Sequence, residues 1–216
     1  MKTRIKICGL TRVEDVLAAV AAGADALGFV FYEKSPRYVN PEQARSLLQA
    51  VPPFVQTVGL FVNATPEQAC AVLARAPVGM LQLHGDETPQ QAAALAQAAG
   101  RPFMRAFRVR PDNSAHDLLQ SETELKAASP WFSALLLDTH TESYGGAGKV
   151  FDWSIIPKDL APRAVLSGGL SVQNAAGAVR TVRPFALDVS SGVEAAKGIK
   201  DAALMQEFIA CARQAI

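Results

Sequence analysis

Short apolar runs of β character alternate with alanine-rich amphipathic segments along the whole 216-residue chain. This alternation constrains the fold more than any other feature, because neighbouring parallel strands need a crossover, usually a helix, between them. Strands are predicted at 4–8, 26–30, 55–62, 79–83, 103–107, 135–138, 164–167 and 186–189. Helices are predicted near 12–22, 41–50, 65–75, 88–98, 115–127, 171–182 and 201–214, with a weaker one after Asp152.

Eight strand-and-helix units in 216 residues predict one domain over residues 1–216, a (β/α)₈ barrel of eight parallel strands. A doubly wound open sheet is the alternative. It is disfavoured because "CGLTRV", which follows the first strand, does not match the dinucleotide fingerprint G-x-G-x-x-G. In a barrel the chemistry lies at the carboxyl ends of the strands and in the loops after them. Candidate functional residues are therefore sought at those positions.

The charge balance and the cysteines limit the partners. Twenty-one basic and twenty acidic residues leave a net charge of +1, so no overall field attracts nucleic acid or an anionic membrane. No apolar run is long enough to span a bilayer, and no secretory signal is expected. Three widely spaced cysteines form neither a disulfide framework nor a zinc pattern. We expect a cytoplasmic protein that binds a small molecule, and monomer and homodimer both remain open.

The loops predicted after the seventh and eighth strands are rich in glycine and serine. Backbone N–H groups at helix N-termini bind phosphate, and barrels commonly place a phosphate site in these two loops. One such loop alone could be only a tight turn. Because two occur at consecutive strand ends, and a short helix is predicted at 193–197, a phosphorylated substrate is favoured. The candidate phosphate-binding residues are Gly168, Gly169, Ser190, Ser191 and Gly192.

The loop predicted after the sixth strand is long and carries the run "GGAGK" at 145–149. A nucleotide P-loop has the pattern G-x-x-x-x-G-K-[ST], and Ser143 and Val150 break it at both ends. Nucleotide binding is therefore not supported. A flexible lid over a ligand and a plain surface loop are both compatible with the run.

An acid and a base are predicted at two strand ends. Asp138 ends a strand of three leucines, where a charge has no role in packing. A helix N-cap or a solvated strand end is the other interpretation of this position. Cys8 ends the first strand, beside a predicted helix N-terminus that would favour its thiolate. Cys70 and Cys211 fit the core faces of helices. An acid and a base at a phosphate-binding barrel mouth suggest proton transfer, as in an aldose-to-ketose rearrangement.

Arg37 lies in the proline-stiffened loop "SPRYV" after the second predicted strand. Its guanidinium could bind a carboxylate through two parallel hydrogen bonds. An ordinary surface arginine is the other interpretation of this position.

Seven fragments together resemble the phosphoribosylanthranilate isomerase family, in order and across essentially the whole chain: "KICGLT", "SPRYV", "LQLHGDE", "LLLDT", "GGAGKVFDW", "LSGGL" and "DVSSGVE". The resemblance implies a (β/α)₈ barrel that catalyses the Amadori rearrangement of N-(5-phosphoribosyl)anthranilate in tryptophan biosynthesis, with no cofactor and no metal. The product is 1-(o-carboxyphenylamino)-1-deoxyribulose 5-phosphate.

The family's functional residues fall on the positions already singled out. The base falls on Cys8, the general acid on Asp138 and the arginine for the anthranilate carboxylate on Arg37. The family's phosphate-binding loops fall on the two loops named above. His84 matches a motif position, and it either lines the active site or packs at a strand end.

Two positions depart from the family pattern. Pro36 replaces a lysine, and Ala147 replaces a residue with a hydroxyl group. Both departures could tune the sixth loop or the anthranilate pocket, and neither removes a catalytic group.

Three other functions remain in competition. A metal-dependent sugar-phosphate epimerase could take ligands from His84, Asp138, His140 and Asp188, although their spacing matches no recognised metal pattern. A lysine-assisted indole-forming synthase is disfavoured because no lysine stands at a predicted strand end. A non-catalytic sensor of a phosphorylated ligand would keep the barrel without the chemistry.

Overall fold

The computed structural model describes residues 2–140 and 150–215. Eight parallel strands form a closed barrel in which each strand pairs with the next and the eighth pairs with the first. The predicted fold class is confirmed. The strands are β1 Arg4–Cys8, β2 Ala26–Val30, β3 Gln56–Phe61, β4 Met80–Leu83, β5 Phe103–Val109, β6 Phe132–Thr139, β7 Val165–Leu166 and β8 Ala186–Val189.

Helices follow the strands in the predicted order, and none of those described is long and apolar enough to cross a membrane. They are α1 Val13–Ala22, α2 Pro41–Gln49, α3 Pro66–Leu73, α4 Pro89–Ala99, α5 Ala115–Ala128, α6 Val172–Val182 and α7 Ala202–Gln214. The weak helix expected after Asp152 is a 3₁₀ turn, Trp153–Ile155, and two further 3₁₀ turns are Ala161–Arg163 and Ser191–Val193.

The short helix predicted at 193–197 is wrong. After the 3₁₀ turn the chain forms an antiparallel hairpin of β9 Glu194–Ala196 and β10 Ile199–Lys200. Gly198 adopts the left-handed backbone (φ +79°) that this tight return requires. Backbone pairing within the hairpin and contacts with the barrel stabilise this segment more than the helix propensity of the residues "EAAK" would.

Several helix starts are set by local sequence. The side chains of Asn40, Thr65 and Thr88 each accept a hydrogen bond from the backbone N–H three residues on, and each is followed by proline. This arrangement satisfies an otherwise free donor and presets the first helical turn. The predicted boundaries there are accurate to within two residues.

The apolar core has two parts. The larger lies between the strands and the helices, and the smaller fills the barrel interior with Val58, Met104, Ala106, Ala134, Leu136, Val165 and Ala186. Near the carboxyl ends of the strands, buried polar side chains replace this filling: Lys6, Gln82, Asp138 and Asp188. Because successive residues of a strand face opposite sides, the polar residues enter the barrel without disturbing the outer core.

Candidate active site

A cavity opens at the carboxyl ends of the barrel strands. Its empty space, counted to the open mouth, is about 710 Å³. Eight of the nine predicted site residues line it: Cys8, Arg37, His84, Asp138, Gly168, Gly169, Ser190 and Ser191. The ninth, Gly192, lies behind the wall. Tyr32 also lines the cavity, whereas Tyr38 instead forms a β-bridge with Val30.

Cys8 is buried, with 4% of its surface exposed. Burial raises the pKa of its thiol, the positive charge of Lys6 lowers it, and Asp188 raises it again, with a net increase. The predicted lowering by a helix N-terminus is wrong, because α1 begins only at Val13 and Cys8 ends the preceding strand. The charge that favours the thiolate therefore comes from neighbouring side chains.

Asp138 stands at the end of β6 and is also buried. Its Oδ2 lies 3.0 Å from His84 Nε2, and its Oδ1 accepts a hydrogen bond of 2.9 Å from the N–H of Thr139. Gln82 donates to His84 Nδ1 at 2.9 Å, so a neutral His84 carries its proton on Nε2 and donates it to Asp138. His84 thus lines the cavity and holds the carboxylate of Asp138 in place.

Arg37 is bound to a carboxylate of the protein. Its Nε and Nη2 donate to the two oxygens of Glu194 at 2.7 and 2.8 Å, and only 12% of its side chain is exposed. The hydrogen bonds to Glu194 raise the pKa of Arg37. Arg37 is therefore no ordinary surface arginine, and among the described residues no hydrogen-bond acceptor is found for its Nη1.

Glu194 and Lys200 are site residues that the sequence analysis did not identify. Both belong to the β9–β10 hairpin, and Lys200 Nζ donates to Glu194 at 2.9 Å and to the backbone oxygen of Ser190 at 3.0 Å. The hydroxyl of Ser190 donates in turn to the carbonyl of Cys8 at 3.0 Å. Glu194 could have been identified from the sequence, because it ends the fragment "DVSSGVE". Lys200 lies outside every quoted fragment and is brought near Glu194 by the pairing of β9 with β10.

A buried lysine also lies inside the barrel beneath the cavity, although no lysine stands at a predicted strand end. Lys6 lies two residues before the end of β1 and donates to Asp188 Oδ1 at 2.7 Å, with 3% of its surface exposed. The signal for it was the two-residue spacing from Cys8, which places both on one face of the strand.

The two glycine loops form one wall of the cavity. Gly168 and Gly169 have positive φ (+82° and +65°), and no acceptor among the described residues is found for their N–H groups or for that of Ser191. A Cβ on Gly192 would overlap the carbonyl of Leu170, so the loops touch through their backbones. These N–H groups are available to an anion at the start of α6.

The described residues include Pro36 but not the glycine run of the sixth loop. The glycine run at 145–149, the lid hypothesis and Ala147 lie outside the described residues. Pro36 is described: its carbonyl oxygen packs against the turn of the hairpin, 3.0 Å from the position that a Cβ of Gly198 would take.

Among residues 2–140 and 150–215, no three His, Cys, Asp or Glu side chains are grouped closely enough to hold a metal ion. Asp138 is hydrogen-bonded to His84, and Asp188 pairs with Lys6. The four residues considered for an epimerase therefore do not form one ligand set.

Comparison with known proteins identifies a family. Residues 5–211 match the family model described as N-(5'-phosphoribosyl)anthranilate isomerase. The N-(5'-phosphoribosyl)anthranilate isomerase of Herminiimonas arsenicoxydans is 61% identical over 99% of this chain and 94% of its own.

Solved structures of the same enzyme share the fold. Phosphoribosyl anthranilate isomerase from Thermotoga maritima is 43% identical with a TM-score of 0.84, covering 98% of this chain and 99% of its own. A second structure, 38% identical with a TM-score of 0.79 and the same coverage, is a complex with reduced 1-(o-carboxyphenylamino)-1-deoxyribulose 5-phosphate. A third, 37% identical with a TM-score of 0.79 and again that coverage, shows monomers generated from the dimeric T. maritima enzyme.

Proposed function

Since this chain belongs to the N-(5'-phosphoribosyl)anthranilate isomerase family, we propose that Cys8 and Asp138 are the base and the acid of its aldose–ketose isomerisation in tryptophan biosynthesis. The observation that carries this assignment is their position in one cavity, together with a partly buried arginine and two glycine loops. The acid and the base would act on the sugar, the arginine would bind the anthranilate carboxylate, and the glycine loops would bind the phosphate.

The chemistry consists of proton transfers and needs no external oxidant. Asp138 donates a proton to the furanose ring oxygen, which opens the ring and leaves an iminium ion between C1 and the anthranilate nitrogen. The Cys8 thiolate then removes the proton from C2, and the electron pair moves toward nitrogen to give an enolamine. Tautomerisation makes C2 a ketone and C1 a methylene, so C2 is oxidised and C1 reduced within one molecule.

The substrate would be held at both of its ends. Its phosphate accepts hydrogen bonds from the backbone N–H groups of Gly168, Gly169 and Ser191, with Ser190 beside them in the cavity wall. Gly192 supports these donors from behind by its contact with Leu170. The anthranilate carboxylate binds the free edge of Arg37, whose other edge is held by Glu194.

The test follows the loss of phosphoribosylanthranilate fluorescence under single-turnover conditions. Wild type is compared with Cys8→Ser and Asp138→Asn, and affinity for the reduced product is measured by calorimetry. Both variants should bind the reduced product while losing orders of magnitude in rate. A variant that keeps the wild-type rate would remove its residue from the proposed pair.

The competing functions predict other results. A wild-type protein that binds the substrate without converting it would support the phosphate-ligand sensor. Activity that is lost with EDTA and restored by a divalent metal would support the metal-dependent epimerase.

The surface at the amino end of the barrel bears on the oligomeric state of the protein. Phe54 is fully exposed with a left-handed backbone (φ 70°) and lines a cavity at the amino end of the barrel, together with apolar residues such as Val58 and Met80 and charged ones such as Arg4 and Lys6. An exposed, strained aromatic residue suits a self-complementary interface, and the T. maritima relative is dimeric. A homodimer through this face is proposed, in the cytoplasm, where the three unpaired cysteines would stay reduced.

A further inference from the structure

We propose that Lys6 is a positioning residue for the isomerisation: its ammonium group, held by Asp188 beneath the cavity, stabilises the thiolate of Cys8. This inference rests on the proposed role of Cys8 as the base. It assigns a function to a buried ion pair whose carboxylate lines the cavity but whose ammonium group does not.

The strand geometry places the lysine directly below the cysteine. Lys6 and Cys8 are two residues apart on β1, so both side chains enter the barrel. The register of β1 with β8 sets Lys6 opposite Asp188, and their side chains pair at 2.7 Å. Asp188 also accepts from the Ser167 hydroxyl at 3.3 Å, which holds the carboxylate in position. A buried ammonium is thereby held in place below the site.

A missing side chain on the next strand lets the two groups approach each other. Gly28 of β2 is paired with Cys8, and a Cβ added there would lie 2.8 Å from Cys8 Sγ and 3.1 Å from Lys6 Nζ. Both atoms therefore converge on the same small volume, within about 6 Å of one another. Any other residue at position 28 would push them apart.

Apart from Asp138, which is hydrogen-bonded to His84, the charged groups near Cys8 carry one more positive than negative charge. Lys6 from β1, Arg37 from the loop after β2 and Lys200 from β10 supply three positive charges. Asp188 of β8 and Glu194 of β9 supply two negative charges, each bound to these cations. Across the cavity, Asp138 of β6 is hydrogen-bonded to His84. A thiolate at Cys8 cancels the remaining positive charge.

Titration behaviour agrees with this arrangement. Burial raises the pKa of Cys8 most, and Lys6 is the largest influence that lowers it. For Lys6, burial acts against the charge, yet Asp188 and Cys8 together raise its pKa above the ordinary value, so it remains an ammonium at neutral pH. Of the neighbours of Cys8, Lys6 thus contributes most to the population of the thiolate.

The experiment measures the ionisation of Cys8 directly in two variants. Lys6→Met removes the cation, and Lys6→Met combined with Asp188→Asn removes the whole ion pair, so that no buried charge is left unpaired. Alkylation by iodoacetamide is followed against pH, with mass spectrometry of peptides to separate Cys8 from the other two cysteines. Thermal unfolding checks that both variants fold. The matched control is Lys158→Met, which removes an exposed lysine outside the cavity.

In Lys6→Met the pH midpoint for alkylation of Cys8 should move upward, and alkylation at pH 7 should slow by about tenfold or more. In the double variant the midpoint should move upward by less, because Asp188, which opposes Lys6, is also removed. The value of kcat/KM at pH 7 should fall by a similar factor and recover partly at alkaline pH, while KM changes little. Lys158→Met should match wild type in each measurement.

An alkylation midpoint that does not rise in folded Lys6→Met, or that falls below wild type in the double variant, would overturn the inference, even if activity fell. The proposed function fails separately: a Cys8→Ser enzyme with the wild-type rate would exclude Cys8 as the base, whatever Lys6 does to its ionisation. If Cys8→Ser is inactive and alkylation is insensitive to Lys6, then only the role of Lys6 is wrong.

Discussion

The contact between the two glycine loops can be tested by adding a single methyl group at Gly192. In Gly192→Ala the new Cβ would overlap the carbonyl oxygen of Leu170 and lie 2.9 Å from its carbonyl carbon and 3.0 Å from the Cα of Ser171. Ordinary contacts between carbon atoms are about 3.5 to 4.0 Å. Since all these neighbours are backbone atoms, no rotamer change relieves the overlap, and the loops must separate by roughly 1 Å.

The cost follows from that displacement. Overpacking of this kind lowers the free energy of unfolding by about 1–3 kcal/mol. For a chain of this length each kcal/mol lowers Tm by about 2–4 °C. A separation of about 1 Å also misplaces the N–H groups proposed to hold the phosphate, so affinity for the reduced product should fall by tenfold or more.

Thermal unfolding and calorimetric titration with the reduced product measure the two effects. Gly177→Ala is the matched control, because this glycine lies within α6 and a Cβ there meets nothing within 4 Å. That variant should gain about 0.8–1.0 kcal/mol from helix propensity and bind the reduced product normally. If Gly192→Ala kept both the Tm and the affinity of wild type, the close backbone contact and its role at the phosphate site would be refuted.

Three further perturbations test other parts of the structure. Glu194→Gln should raise KM about tenfold, with a smaller change in kcat, because Arg37 loses its anchor; steady-state kinetics decide, and an unchanged KM would contradict the role given to Glu194. Glu122→Gln should destabilise the protein at pH 7. The hydrogen bond from Arg163 lowers the pKa of Glu122, so its stabilisation is present above about pH 4.3 and lost as pH falls through the folded-state value. Urea unfolding should therefore show the difference from wild type shrinking on acidification, and a constant difference would reject this origin. Phe54→Asp should shift sedimentation from dimer to monomer with the cavity intact, and a variant that stays dimeric would move the interface elsewhere.

Much of the fold and several site positions followed from local pattern. The alternation of strands and helices predicts a parallel barrel because a parallel strand cannot follow another without a crossover. Helix caps such as Thr65 act within one helical turn, so adjacent residues in the sequence are enough to predict them. Cys8 and Asp138 were found because the carboxyl ends of parallel strands meet on one face.

The environment of those residues depended on the tertiary structure. Glu194 meets Arg37 across 157 positions of the chain, and Asp188 meets Lys6 across 182. The pKa of Cys8 depends on its burial and on the charges of nearby side chains, whereas the sequence analysis predicted an effect of a helix N-terminus. The hairpin at Glu194–Lys200 forms in a segment whose local sequence predicts a helix. Sequence by itself determined which elements form and which residues stand at their ends, since those depend on short-range periodicity. Only the tertiary structure decided which charges face each other, because burial and Coulomb interaction depend on distance in space.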